Sequence, residues 1–149
     1  GIDYWVLEKI PDQISKIFII EYNPYFGSDK EVVTPNIEKF DRFNYHPSGI
    51  CWGASLKSII KLMEKKGYKF IGSNELNCNS FFVRNDLIKK IKIDFPNTDN
   101  LSKFTDYKFN VARKINNNLQ NLDGIQTILD DIEVFDLKNK KIQKFKFID

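Results

Sequence analysis

An unbroken run of four apolar residues, Ile-Phe-Ile-Ile at positions 17–20, is the feature that most constrains the fold of this sequence. Short, continuously apolar and β-branched runs are typical of strands that are covered on both faces, as in the parallel sheets of α/β proteins. The run ends abruptly in Glu21, Tyr22 and Asn23, and Pro24 follows at once. The sequence therefore predicts a strand inside a sheet, with polar side chains at its carboxyl end.

A helix is predicted within residues 51–66, CWGASLKSIIKLMEKK, because its apolar side chains recur at i, i+3, i+4 and i+7. These positions are Leu56, Ile59, Ile60 and Met63. Ser55 is placed to cap the first turn, and Gly67 stands where a left-handed residue commonly ends a helix. A shorter helix is predicted at residues 4–10, and Pro11 ends it.

Two more strands follow this helix in the sequence, YKFIGSN from Tyr68 and SFFVRNDL from Ser80. A short Asn-rich turn separates them, which predicts an antiparallel hairpin. A strand, a crossover helix and a second strand predict a parallel pair with a right-handed crossover. The last strand is then expected to run antiparallel beside that pair, and residues 1–94 are predicted to form one α/β domain.

Residues 95–149 are predicted to add a helical segment and a β-hairpin that pack on the first domain. After the turn cluster FPNTDN, residues 101–121 are interpreted as helical, although their run of three Asn residues opposes a helix. Helical spacing recurs over residues 125–132. The chain then alternates apolar and polar residues around Lys-Asn-Lys at 138–140, which predicts a terminal hairpin with one solvated face.

Composition and charge argue against several classes of protein. The formal charge is +3, and the basic residues are spread along the chain, so no nucleic-acid-binding patch is predicted. No stretch approaches the roughly 20 apolar residues of a membrane helix, and the first ten residues lack the pattern of a signal peptide. Cys51 and Cys78 are too few and too isolated for a disulfide framework or a metal site. We therefore expect a cytoplasmic protein that binds neither nucleic acid nor membrane.

Four segments within residues 3–87 carry a resemblance to a known family. In chain order they are DYWVLEKI, IIEYN, GASLKSIIKLMEKKGYKFIGSN and NSFFVRNDL. They resemble the C-terminal half of class I S-adenosylmethionine-dependent methyltransferases, nearest to the FkbM-like branch and its bacterial relatives. The resemblance implies a partial Rossmann-like methyltransferase sheet, in which the fifth strand ends in Glu21 and the sixth and seventh strands form the antiparallel pair that marks this fold.

The resemblance also implies what this sequence lacks. The family binds S-adenosylmethionine mainly through a glycine-rich turn after the first strand and an acidic residue after the second, as dinucleotide sites do. This chain has 7 glycines and no G-x-G pair. The implied function is therefore that of a methyltransferase-like fragment whose family acts on a glycan or a small metabolite, which holds no cofactor and is inactive alone.

Four polar residues are the candidate substrate-binding residues. Glu21 and Asn23 follow the strand at the rim where α/β sheets bind ligands, and two interpretations stay open for them. They contact substrate or assist acid–base chemistry, or they hold the loop by bonding backbone amides. Asp3 would face the same cleft from the end of the family's fourth strand. His46, the single histidine, lies in the loop sequence NYHPSG, where a structural or simply exposed histidine is the alternative to a site residue, and no evident Ser or Cys is spaced to make a nucleophile pair with it.

The family sheet places its fifth strand between the fourth and the seventh, so a chain without the first four strands leaves residues 17–21 at an edge. A long apolar edge strand promotes aggregation unless something covers it. We expect either a two-fold homodimer through the edge formed by Ile17–Glu21, or a C-terminal hairpin that folds back on this edge. The alternative to an enzyme fragment is accordingly a non-catalytic dimerising or partner-binding module.

Overall fold

The structure, a computed structural model, describes residues 1–106, 114–115, 118–119 and 128–146. Its helices are α1 (Asp3–Lys9), α2 (Arg42–Tyr45), α3 (Leu56–Lys65) and α4 (Ser102–Thr105). Its strands are β1 (Ile17–Glu21), β2 (Val32–Val33), β3 (Tyr68–Ser73), β4 (Asn79–Arg84), β5 (Lys114–Ile115), β6 (Asn118–Leu119), β7 (Glu133–Asp136) and β8 (Lys141–Lys144). The described elements form a mixed α/β fold with two small three-stranded antiparallel sheets and the two-stranded ladder of β5 and β6.

The first sheet has the strand order β1-β4-β3, and β4 runs antiparallel to both of its neighbours. The predicted hairpin of β3 and β4 is therefore confirmed. The predicted parallel pair is wrong, because β4 lies between β1 and β3, which run in the same direction without sharing a ladder. The side chains of Ser80, Phe82 and Val83 are buried on β4, which explains why this strand takes the centre of the sheet.

The predicted helices on either side of β1 are confirmed. In α3 the hydroxyl of Ser55 accepts a hydrogen bond from the Ser58 amide at 3.3 Å, as a helix cap does. Gly67 follows the helix with φ of +86°, a left-handed conformation that side chains other than glycine adopt at a cost. The inner face of the first sheet, α1 and α3 share one core, whose largest fully buried members include Tyr22, Tyr68, Phe70, Phe82, Leu56, Ile59 and Met63.

The second sheet has the order β2-β7-β8, so the predicted terminal hairpin is confirmed as β7 and β8. The expectation that this hairpin covers the edge of β1 is wrong, because it pairs with β2 instead. The physical reason is a second apolar cluster, which buries one face of the hairpin against the loop that follows β1. Its buried members are Phe26, Val32, Ile50, Cys51, Leu129, Ile132, Val134 and Phe145.

The region between the two sheets departs from its predicted helix. Residues 102–105 are helical, whereas 114–115 and 118–119 pair as β5 and β6. Residues 107–113, 116–117 and 120–121 lie outside the described residues. The helical spacing predicted over 125–132 is confirmed at residues 128–130, and residues 125–127 lie outside the description. None of the described helices combines the length and the hydropathy that a bilayer-spanning segment requires.

Candidate functional site: the open edge of the first sheet

Strand β1 forms an edge of the first sheet and pairs on one side only, with β4. Side chains alternate along a strand, and here Phe18 and Ile20 face the core while Ile17 and Ile19 face outward. The two outward isoleucines are 56% and 64% exposed. The outer face of β1 is therefore an apolar surface that no part of the described chain covers.

The backbone of β1 also has an unpaired side. Lys16 accepts a ladder bond from the Arg84 amide, and the Tyr22 amide donates to the carbonyl of Cys78. In an antiparallel pair the residues that bond across the ladder alternate with residues that do not. The even-numbered residues of β1 therefore bond to β4, and the amides and carbonyls of its odd-numbered residues point away from the sheet.

Ile19 is the centre of this open edge. The hydroxyl of Ser15 donates to the Ile17 carbonyl at 2.8 Å, which is consistent with a carbonyl that lies outside the ladder. No hydrogen bond within the described chain engages the outward amide or carbonyl of Ile19. Ile19 therefore presents an apolar side chain, a donor and an acceptor at one point of the surface.

Features that commonly protect an edge strand are absent from Ile17 and Ile19 of β1, and its first charged residue is Glu21, the last of the strand. Natural edges are blocked by lysines, prolines, bulges or very short strands, and the register of β1 with β4 is regular over all five residues. The opposite case is β8, the edge of the second sheet, which carries Lys141 and Lys144 at its two ends. The edge of β1 is thus the better template for an added strand, the mode of recognition known as β-augmentation.

Asn23 is fully buried and holds the loop after β1. Its side-chain amide donates to the carbonyls of Ile50 and Trp52 at 2.8 and 2.9 Å, and its side-chain oxygen accepts from the Tyr25 amide at 3.0 Å. Both amide hydrogens are therefore used, and the side chain is 0% exposed. In this arrangement Asn23 performs the loop-holding role and does not reach a ligand.

The other three candidate residues make different contacts from those of Asn23. Glu21 ends β1 on the exposed outer face, and the carboxylate of Asp3 lies 3.5 Å from the amino group of Gly1 in the first turn of α1. His46 lines a cleft between α2 and the start of β7, and none of the other candidates lines it. Two other clefts of the described chain contain none of the four predicted residues, so no observation joins them into one site.

Sequence reasoning missed a serine partner for His46. The Nδ1 atom of His46 lies 2.6 Å from the Ser48 hydroxyl and accepts a bond from the Ser48 amide at 3.2 Å. The hydroxyl of Ser48 also accepts from the Ile50 amide, and the residue is 2% exposed. These contacts all lie within residues 46–50, and the Ser48 hydroxyl is not accessible to a substrate. We therefore interpret the pair as part of a turn that orders the loop.

Cys51 and the possible metal-ligating residues were two further candidates for a reactive centre. Burial raises the pKa of the Cys51 thiol to about 12, so the thiolate that reacts as a nucleophile is not formed near neutral pH. No group of three or more histidine, cysteine, aspartate or glutamate residues in the described part of the chain is placed to hold a metal ion.

Asp136 is a buried carboxylate that organises the turn between β7 and β8. Its oxygens accept from the amides of Lys138 and Asn139 and from the side chains of Asn139 and Gln143, at 2.8 to 3.0 Å. Burial on its own would raise the pKa of Asp136, but the hydrogen bonds from Asn139 and Lys138 outweigh burial and lower it. The folded hairpin therefore stabilises the charged carboxylate of Asp136.

We expect Asp136→Asn to lower stability near neutral pH by about 2 kcal/mol, because an amide leaves some of these donors unpaired. A carboxyl whose pKa is lowered by folding stabilises the protein above its unfolded pKa, and loses this effect as pH falls through the folded value. The difference between the two proteins in urea unfolding should therefore shrink between pH 7 and pH 3. Asp94→Asn, at an exposed position, is the control and should change stability little at either pH.

Comparisons with known proteins give no relative for this chain: no protein-family model matches it, and neither a curated protein nor a solved structure is similar to it.

Proposed function

We propose that this chain is a non-catalytic association module that forms a two-fold homodimer by pairing β1 with β1 of a second copy. The observation that carries the proposal is the combination at Ile17 and Ile19 of exposed apolar side chains with outward backbone groups. Backbone hydrogen bonds would supply affinity in such a pair, and the alternate side chains would supply specificity. Pairing also removes the aggregation hazard of an open edge.

The pleat of β1 restricts the register of the dimer. Residues whose backbone amides and carbonyls point out of the edge must lie opposite such residues of the other copy. Two short registers meet this condition. A two-fold axis at Ile19 places Ile17 opposite Glu21 of the partner subunit, which sets a carboxylate against an apolar side chain. An axis at Phe18 places Ile17 opposite Ile19 of the partner subunit, so we favour this register and a continuous six-stranded sheet.

Light scattering over a concentration series at low micromolar protein tests the proposal. We expect the mass to approach twice the 17.5 kDa of the chain as concentration rises. An interface of this length is small and lies at the weak end of specific associations, so the dissociation constant should be in an accessible range. A single monomeric mass across the series would contradict the homodimer.

A second proposal is favoured by the strand order of the first sheet. The order β1-β4-β3, with α3 between β1 and β3 along the chain, leaves one side of β1 vacant. In the class I methyltransferases that this sequence resembles, the fifth strand has the seventh on one side and the fourth on the other. This agreement supports a methyltransferase-like protein, in which a preceding segment or another chain supplies the neighbour of β1 and the cofactor site.

Calorimetry with S-adenosylmethionine tests this second proposal. We expect no heat of binding to the 149-residue chain, because it contains no G-x-G turn for the cofactor. Micromolar affinity would show that the glycine-rich turn is not needed and would overturn this inference. The coding sequence before Gly1 gives a separate reading, since a G-x-G strand-turn-helix there would support the methyltransferase proposal and a stop codon would oppose it.

A further inference from the structure

A cleft of about 710 Å³ lies between the loop that precedes β2, the first turn of α3 and the hairpin of β7 and β8. This volume is in the range of small-molecule sites. Lysines dominate its charged lining, five against three carboxylates: Lys30, Lys57, Lys138, Lys144 and Lys146, with Asp29, Glu31 and Asp136. No residue of β1 lines it, so a ligand bound there would not depend on the proposed dimer.

Two of the three carboxylates in this lysine cleft are already neutralised from within the protein. Glu31 has a side chain that is only 9% exposed; it accepts a hydrogen bond from the ammonium group of Lys61 at 2.7 Å and forms an ion pair with Lys138 at 3.5 Å. Asp136 is surrounded by the four donors described above. Their negative charge is therefore taken up by internal partners and opposes a bound anion weakly. Asp29 is exposed at the cleft and forms a long contact with the Ser28 hydroxyl.

Positive charge in the lysine cleft is balanced only in part, since Lys138 pairs with Glu31. Lys57 and Lys146 form no ion pair with a carboxylate of the described chain. Lys144 contacts Asp131 at 3.2 Å, but both side chains are largely exposed, and such surface pairs hold a lysine weakly. Lys57 is also the second residue of the ten-residue helix α3, whose positive dipole end favours an anion.

Two side-chain amides add hydroxyl acceptors to this cleft. Asn139 and Gln143 both donate through their nitrogen atoms to the carboxylate of Asp136, at 2.9 and 2.8 Å. Each amide carbonyl is therefore turned away from Asp136, and an amide oxygen accepts hydrogen bonds from hydroxyl groups. The lining thus combines ammonium groups, which suit a phosphate, with acceptors that suit a polyhydroxylated ligand.

We infer that the lysine cleft binds a small sugar phosphate, with Lys57 and Lys146 on the phosphate and the amide oxygens of Asn139 and Gln143 on its hydroxyl groups. Ammonium–phosphate hydrogen bonds are charge-assisted and stronger than neutral ones. A dianion also gains from the net positive lining of the cleft. Neutral sugars lack this term, and inorganic phosphate lacks the hydroxyl contacts.

Titration calorimetry with glucose 6-phosphate, inorganic phosphate and glucose as probes tests the inference on the full chain. We expect affinity to fall in that order, with no measurable binding of glucose. Lys57→Gln combined with Lys146→Gln should weaken glucose 6-phosphate binding by about 100-fold, since each lost charge-assisted bond is worth about tenfold. Lys9→Gln, at a highly exposed lysine of α1, is the matched control and should bind as the parent does.

Several results would overturn the inference. These are no binding of glucose 6-phosphate, equal binding of glucose, equal binding of inorganic phosphate, or equal losses in the Lys9→Gln control and the double variant. Thermal unfolding tests whether the double variant is folded. If it is not, the salt dependence of the parent protein decides, because binding to a lysine cleft must weaken as sodium chloride rises, and salt-independent binding contradicts it.

Discussion

Replacing Asn23 by alanine is expected to destabilise the protein by about 3–5 kcal/mol, since removing one partner of a buried hydrogen bond costs about 1–3 kcal/mol. The substitution removes the hydrogen bonds that Asn23 makes with the carbonyls of Ile50 and Trp52 and with the amide of Tyr25, at a position that is 0% exposed. Because Asn23 joins the end of β1 to the segment before α3, the loss affects the contact between the two apolar cores.

Urea unfolding followed by circular dichroism measures this effect. Asn36→Ala is the matched control, because Asn36 is exposed in the same loop region and should change stability by less than about 0.5 kcal/mol. Asn23→Asp separates hydrogen bonding from packing, since a carboxylate of nearly the same shape accepts from Tyr25 but donates nothing. If Asn23→Ala unfolded at the parent's urea midpoint, the loop-holding role assigned to Asn23 would be wrong.

The local elements of this fold were predictable from the sequence because short-range physics determines them. The i, i+3, i+4 spacing, the cap at Ser55 and the glycine at position 67 located α3 correctly. Alternating side chains around a polar turn located β7 and β8. In each case the interactions that select the structure lie within a few residues of one another.

The strand order was not predictable in the same way. The continuous apolar run at 17–20 indicated a strand covered on both faces, and half of that prediction is met by the core contacts of Phe18 and Ile20. Which strand lies beside β1 depends on pairings about 60 residues away, such as Ile20 with Ser80. Local pattern specifies that a face is apolar, but it does not specify the partner.

The candidate sites follow the same division. An Asn-Pro pair indicated a turn, yet the carbonyls that Asn23 binds are 27 and 29 residues away. The lysines of the cleft are likewise far apart in the sequence, so the positive charge looks evenly distributed when the chain is inspected residue by residue. Only folding brings the hairpin lysines to the first turn of α3, which is why charge counts along the chain gave no sign of an anion site.

Changing Ile19 to lysine is expected to raise the dissociation constant of the homodimer by about tenfold, which corresponds to about 1.4 kcal/mol. In the register with the axis at Phe18, each copy loses the cross-strand contact between Ile19 and Ile17 of the partner subunit, and such a pair is worth about 0.2–1 kcal/mol. The two contacts are related by the two-fold axis, so both are lost together. The ladder between β1 and β4 is spared, because the backbone of Ile19 faces away from it.

Concentration-dependent light scattering and sedimentation of the Ile19→Lys variant provide the measurement, with urea unfolding to show that the monomer remains as stable as the parent chain. Ile142→Lys is the matched control, since Ile142 is also an exposed isoleucine, 54% accessible, on the edge strand β8 of the second sheet. It should dimerise like the parent. If Ile142→Lys dissociated the dimer and Ile19→Lys did not, the interface would lie on the second sheet and the edge of β1 would require another neighbour.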